Sequence, residues 1–186
     1  MHYYEYHHKS PEILQKAKEK YSWLFDMNFS DESRQVRYYL LESLYREYGY
    51  KWVLEKDDSG KPLPILYHSI FLYWSISHSE NYVAFIVSDR HTGIDIAEND
   101  ERDISMLDIH LEFEYNLLGG KNWDNFYRLW TAKESIIKAN GWWLDDMNNI
   151  SITEVIDGYI SHFAFRQKTY KIHTLQANPM ILSYII

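Results

Sequence analysis

The chain has 186 residues, 46% hydrophobic and 17% aromatic, with 7 Gly and 4 Pro, enough for one sizeable core or two small packed subdomains and too apolar to be disordered. It has no cysteine, which excludes disulfides, thiolate nucleophiles and Cys-ligated zinc. A net charge of −8 argues against a nucleic-acid binder, and no stretch approaches the roughly 18 apolar residues of a membrane span. The first residues, through His7 and His8, show no basic region leading into an apolar run, so a soluble cytoplasmic protein away from membranes is expected.

Helices are predicted over 11–26 and 31–48, the second with Val36, Tyr39, Leu40, Leu44 and Tyr48 at helical spacing. Ser30-Asp31 marks its start and Gly49 its end. Asp57-Asp58-Ser59-Gly60 reads as a turn before Lys61-Pro62. Strands at 70–78 and 82–88 flank Ser79-Glu80-Asn81 as a hairpin, and a short strand Gly93–Ile96 follows Asp89-Arg90-His91-Thr92. Residues 103–118 and 124–140 look helical, the latter stopping at Gly141. Strands at 150–156 and 159–166 flank Asp157-Gly158, a strong hairpin signal, and 169–175 and 180–186 add two more. The order predicts an α+β protein of two similar halves, 1–90 and 91–186, meeting near residues 90–95 with a cleft between them.

Three segments carry candidate chemistry. Trp130, Glu134 and Lys138 are spaced four apart and share one helix face, with Phe126, Leu129 and Lys133 on or near another. The commoner meaning of such spacing is an amphipathic helix with a surface Glu–Lys pair, worth a few tenths of a kcal/mol. Asp95 stands between Ile94 and Ile96, where an unpaired carboxylate is costly, so it either caps a neighbouring element or meets a cation. If Glu134 lies opposite, the two carboxylates repel unless a proton or metal sits between them, and oxygen ligands with room for water and phosphate suit Mg²⁺. His78 ends a strand within Ser75-Ile76-Ser77-His78-Ser79; such a His is usually structural or exposed, yet it can also donate to a phosphate.

Taken in order, Ser-Ile-Ser-His-Ser, Gly-Ile-Asp-Ile and Trp-Thr-Ala-Lys-Glu-Ser-Ile-Ile-Lys-Ala-Asn-Gly resemble the 4′-phosphopantetheinyl transferase superfamily, in particular the surfactin-synthetase (Sfp) type. Gly60-Lys61-Pro62 and Glu114-Tyr115 fit the same pattern, which runs from about residue 30 to 175. The resemblance implies an enzyme of the holo-[acyl-carrier-protein] synthase class. It moves the 4′-phosphopantetheine group from coenzyme A to a serine of an apo acyl or peptidyl carrier protein, with Mg²⁺ as cofactor and the chain a monomer. Asp95 and Glu134 would ligate the metal, and Lys138 would neutralise the leaving phosphate. His78, Ser77 and Lys61 would grip phosphates of the nucleotide. Arg34, with Arg37 as the alternative, would add another contact, and so would Lys133. Glu134 or a water on the metal is the implied base.

The chain also departs from the pattern. Ala97 stands where the surfactin type usually has a third acid, and Glu98 would face the other way on a continuing strand. The holo-(acyl-carrier-protein) synthase type resembles this chain in lacking that acid. Trp142-Trp143-Leu144-Asp145-Asp146 replaces a usual Lys-Gly pair, which bears on the pantetheine groove and the carrier contacts. Lys16, Lys18 and Lys20 read as a solvated helix face, and His2, His7 and His8 have no evident partner ligands for a metal. The alternatives are a non-catalytic homologue that binds coenzyme A or a carrier without transfer, and a plain α+β domain.

Overall fold

A computed structural model describes residues 2–58 and 60–186; Ser59, one residue of the predicted turn, lies outside the described residues. In chain order the elements are β1 (His2–His8), α1 (Pro11–Lys20), α2 (Trp23–Asp26), α3 (Asp31–Tyr48), β2 (Ile65–Tyr67), β3 (Ile70–His78), β4 (Tyr82–Ser88) and β5 (Gly93–Glu98). There follow a 3₁₀ turn at Ile104–Ile109, α4 (Glu112–Leu117), α5 (Trp123–Asn140) and a 3₁₀ turn at Leu144–Asn149. The chain closes with β6 (Ser151–Ile156), β7 (Tyr159–Phe165), β8 (Lys168–Lys171), β9 (His173–Ala177) and β10 (Met180–Ile185). This is an α+β architecture of small antiparallel sheets packed by helices, ordered β1-β4-β3-β2, β5-β10-β9 and β6-β7-β8.

The two long helices form where their caps predict. Ser30 caps α3 by accepting the Ser33 N–H, and Gly49 ends it at φ 72. Asn122 caps α5 by accepting the Asn125 N–H, and Gly141 ends it at φ 66. α3 buries Val36, Leu40, Leu41 and Leu44 against β3 and β4, while α5 buries Phe126, Leu129, Ala132 and Ile136 in a second core that reaches β6, β7 and β10. Each fully buried aliphatic side chain contributes about 1.5–3 kcal/mol of apolar transfer, so these stripes fix the helices on their sheets.

Two predicted helices are broken. Residues 11–26 split at Tyr21, which leaves helical geometry (φ −133, ψ 56), is buried, and donates its hydroxyl to Glu42 Oε1 of α3 at 2.7 Å. Residues 103–118 split into the 3₁₀ turn and α4 around His110, which is also buried. In both places a tertiary anchor overrides local periodicity. β1 and β2 were not expected: β1 is built of Tyr and His rather than alternating aliphatics, and it pairs with β4 along its whole length.

A seam joins β3 to β5. Ser75 Oγ accepts the Ile94 N–H and Ser77 Oγ accepts the Ile96 N–H, both at 3.3 Å, so side-chain hydroxyls take donors that a strand would normally pair with backbone. Behind the seam Ala84, Ile86, Ile94, Ile96, Met180 and Leu182 form a small aliphatic core. α5 crosses the outer face of β5 and β10. Among the described residues, no helix is long and apolar enough to cross a membrane.

Candidate active site

Gly93 sets how closely α5 approaches β5. A Cβ built there would lie 1.9 Å from the Ser135 carbonyl oxygen and 2.7 Å from the Ala139 nitrogen, so only glycine admits the helix backbone. Asp95 is two residues further along the same face, and its cross-strand partner is Ser183. It is therefore carried directly toward the Glu134–Lys138 stretch of α5.

Asp95 is 6% exposed and its Oδ1 accepts two hydrogen bonds, from Ser77 Oγ at 2.7 Å and from Lys138 Nζ at 2.5 Å. Lys138 also donates to Ser77 Oγ at 3.1 Å. The ion pair of Lys138 is thus made across elements with a buried carboxylate, a different object from the exposed i,i+4 pair that spacing alone suggests. Glu134 stands beside this group. Burial first, and the Asp95 charge second, push its carboxyl up to about 6, with Lys138 pulling the other way. The Asp95 charge is thus felt at Glu134.

Two cavities flank the cluster. The larger, about 350 Å³, lies toward the C-terminal end of α5 and is lined by Lys56, Lys61 and Lys138, by Glu134, and by an apolar wall that includes Trp142 and Trp143. The smaller, about 220 Å³, lies toward the start of α5 and is lined by Asp95 and His78, by Trp130 and Tyr127, and by Glu80, Glu98 and Asp100. Lys61 is seated by the end of α5: its Nζ is 3.5 Å from the Asn140 carbonyl, and a Cβ on Gly141 would meet its Cδ at 2.7 Å. Lys56, which the sequence reading missed, opens to the larger cavity. Its ammonium is lowered by the surrounding protein and by repulsion from Arg37 and Lys138. The bridge pairing Lys56 with Pro62 shows the signal that could have found it: a lysine on the facing arm of the Gly60-Lys61-Pro62 loop.

The candidate residues do not all meet. Asp95, Glu134, Lys138, Ser77 and Lys61 come together, and Ser77 serves Asp95 and the seam. His78 faces the smaller cavity, and its imidazole is held below its ordinary value chiefly by desolvation. Arg34 is not brought to either cavity: its guanidinium is taken up by the Leu24 and Met27 carbonyls and by Asp31. Arg37 is nearer. It is buried, stacks 3.9 Å over the Phe29 ring, donates to the Ser33 carbonyl at 3.0 Å and keeps an unpartnered Nε. Desolvation lowers it to about 10.

Lys133 requires a correction. It is wholly buried and donates to Glu114 Oε2 at 2.7 Å, in an interior ion pair with an equally buried partner. Its ammonium points into the core between α4 and α5 and cannot reach a phosphate in either cavity. Glu98 is also accounted for. It accepts from Ser79 Oγ, Asn81 N and Asn81 Nδ2, each at 2.7 Å, and so ties down the β3–β4 turn instead of supplying the acid that Ala97 lacks.

The donor set fits a hard divalent cation held by few protein ligands. The Asp95 charge acts on the Glu134 carboxyl, and the Lys138 ammonium already stands at Asp95. Among the described residues, no group of three His, Cys, Asp or Glu could hold a metal alone. Remaining positions would fall to water and ligand phosphate, the usual arrangement for Mg²⁺.

Residues 91–181, which include β5, α5 and the whole Asp95–Glu134–Lys138 cluster, match the sequence model of the 4′-phosphopantetheinyl transferase superfamily. A curated relative, the 4′-phosphopantetheinyl transferase gsp of Aneurinibacillus migulanus, is 33% identical over 107 residues, which is 50% of this chain and 44% of the relative. The match thus spans less than half the length of that relative. Residues 91–181, just under half of the chain, are thus similar to the 4′-phosphopantetheinyl transferase superfamily.

Proposed function

We propose that the chain transfers the 4′-phosphopantetheine group of coenzyme A to a serine of an apo carrier protein, as a Mg²⁺-dependent holo-[acyl-carrier-protein] synthase of the surfactin-synthetase type. The observation that carries this reading is the meeting of Asp95 on β5 with Glu134 and Lys138 on α5, beside a cavity lined by two further lysines. The division into halves 1–90 and 91–186 belongs to the same reading, since one chain then supplies both walls of the cleft and can act as a monomer.

Asp95 and Glu134 would hold the cation, which when bound screens the diphosphate and the negative charge that grows on the leaving group. Lys138, released from Asp95, would move its ammonium onto the leaving 5′-phosphate. Lys61 and Lys56 would hold phosphates in the larger cavity, and Arg37 would add positive charge behind them. In the transfer the carrier serine oxygen bonds to the phosphorus that bears pantetheine, and the bond from that phosphorus to the 5′-phosphate oxygen breaks. 3′,5′-ADP leaves and the serine proton goes to a base. Glu134, whose carboxyl is raised to about 6, would take that proton. Most of the acceleration would come from fixing the two reactants and neutralising charge.

The test is the intact mass of an apo carrier incubated with the chain, coenzyme A and Mg²⁺. A gain of one phosphopantetheine, lost in Asp95→Ala and Glu134→Ala, supports the proposal. A second reading keeps binding and drops transfer, and Ala97 with Glu98 turned toward the hairpin favours it. Coenzyme A binding with no mass gain on any of several carriers would select it.

A further inference from the structure

We propose that Trp143 is the platform on which the adenine ring of coenzyme A stacks, which makes it a specificity-determining residue; this rests on the transferase reading above. Trp143 is 72% exposed, the most exposed large apolar side chain among the described residues, yet it lines the lysine-rich cavity. Its neighbour Trp142 is already used: it packs on Phe165 at 4.4 Å, with the Arg166 guanidinium 5.4 Å above it. The backbone around Trp143 is fixed on both sides. The Trp142 N–H donates to the Ile137 carbonyl at 3.1 Å, and the Leu144–Asn149 turn is anchored by buried Met147. An indole held on a fixed backbone and left uncovered is suited to receive a flat partner.

Charge decides which part of the ligand it faces. Coenzyme A divides at its diphosphate into a nucleotide that carries a further phosphate and a neutral pantetheine arm. The larger cavity gathers Lys56, Lys61 and Lys138, whereas the smaller one gathers Glu80, Glu98 and Asp100 against Arg102 and His78. Phosphates are drawn to the first and repelled by the second, so the nucleotide lies in the larger cavity and its base meets the aromatic wall. The neutral arm leaves past the acidic side. Loss of one base–aromatic stack weakens binding by roughly tenfold.

The experiment measures binding of two probes to the full chain by calorimetry at fixed salt: 3′,5′-ADP, and ribose 3,5-bisphosphate, which keeps both phosphates and lacks the base. Trp143→Ala is expected to weaken 3′,5′-ADP by roughly tenfold while leaving the abasic probe unchanged, with Trp143→Phe recovering most of the loss. Unchanged affinity for 3′,5′-ADP in Trp143→Ala overturns the platform, and so does an equal loss for both probes. If the unaltered chain binds neither probe, the coenzyme A reading itself fails, and this inference with it.

Discussion

Lys138 Nζ lies 2.5 Å from Asp95 Oδ1, so the ammonium that the transferase reading assigns to the leaving phosphate is, in this structure, the counter-ion of the proposed metal ligand. Two roles for one lysine follow from two sets of partners. With no diphosphate present it neutralises a buried carboxylate; with diphosphate present it has a stronger anion to meet. On the proposed function, metal and coenzyme A would be coupled, because each would favour the state in which Lys138 has left Asp95, and the coupling would be reciprocal. Lys138→Met is expected to raise divalent-ion affinity in the absence of coenzyme A while lowering coenzyme A affinity by tenfold or more. Calorimetric titration of each ligand alone checks both signs. Weaker metal binding in the variant would contradict the exchange.

The seat of α5 on β5 depends on one missing methyl group. Gly93→Ala places a carbon where the Ser135 carbonyl now stands, so either strand or helix must move. Overpacking of this kind costs about 1–3 kcal/mol. The displacement also separates Asp95 from Glu134, so metal affinity should fall more than the melting temperature alone suggests. Thermal unfolding and metal titration on the same preparation measure the two effects.

The Glu114–Lys133 pair is a structural element within a motif that reads as catalytic. Removing one partner leaves the other charge buried, which costs about 3–5 kcal/mol. Lys133→Met is therefore expected to be strongly destabilising, and adding Glu114→Gln should recover much of the loss, since a neutral pair needs no counter-charge. Denaturant midpoints of the single and double variants form the required cycle.

His110 gives the chain an acid-sensitive core. Burial, with the Lys133 charge second, lowers its imidazole to about 3, and neither ring nitrogen has a hydrogen-bond partner, although the nearby Phe126 backbone pulls weakly upward. The unfolded chain binds a proton near pH 6.5 that the folded chain refuses until about 3. Stability from this group is therefore lost as pH falls below about 6.5, by up to ~1.4 kcal/mol per pH unit. His110→Phe is expected to flatten that acid limb while holding stability near pH 7. Urea titrations between pH 7 and 4 measure the slopes.

Much of this was readable from the sequence because it rests on local chemistry. Ser30, Gly49, Gly141 and Asp157-Gly158 mark their caps and turn through side-chain oxygens and positive φ, which need no tertiary information. The motif order likewise singles out Asp95, Glu134 and Lys138, of which Asp95 and Lys138 are in contact. What was not readable depends on partners distant in the chain. The break at Tyr21 needs Glu42, the inward turn of Lys133 needs Glu114, and the diversion of Arg34 needs the carbonyls of Leu24 and Met27. Lys133 and Lys138 are both lysines on α5, and only the packed structure shows that one faces the core and the other the cleft.

The central claim is that a strand carboxylate and a helix carboxylate together hold one divalent ion beside the diphosphate. Paramagnetic titration with Mn²⁺ as the probe, in the presence of coenzyme A, tests it on the unaltered chain and on Asp95→Asn and Glu134→Gln. The account predicts one site in the unaltered chain, weakened at least tenfold by either substitution. Binding of the ion with equal affinity in all three proteins would contradict it.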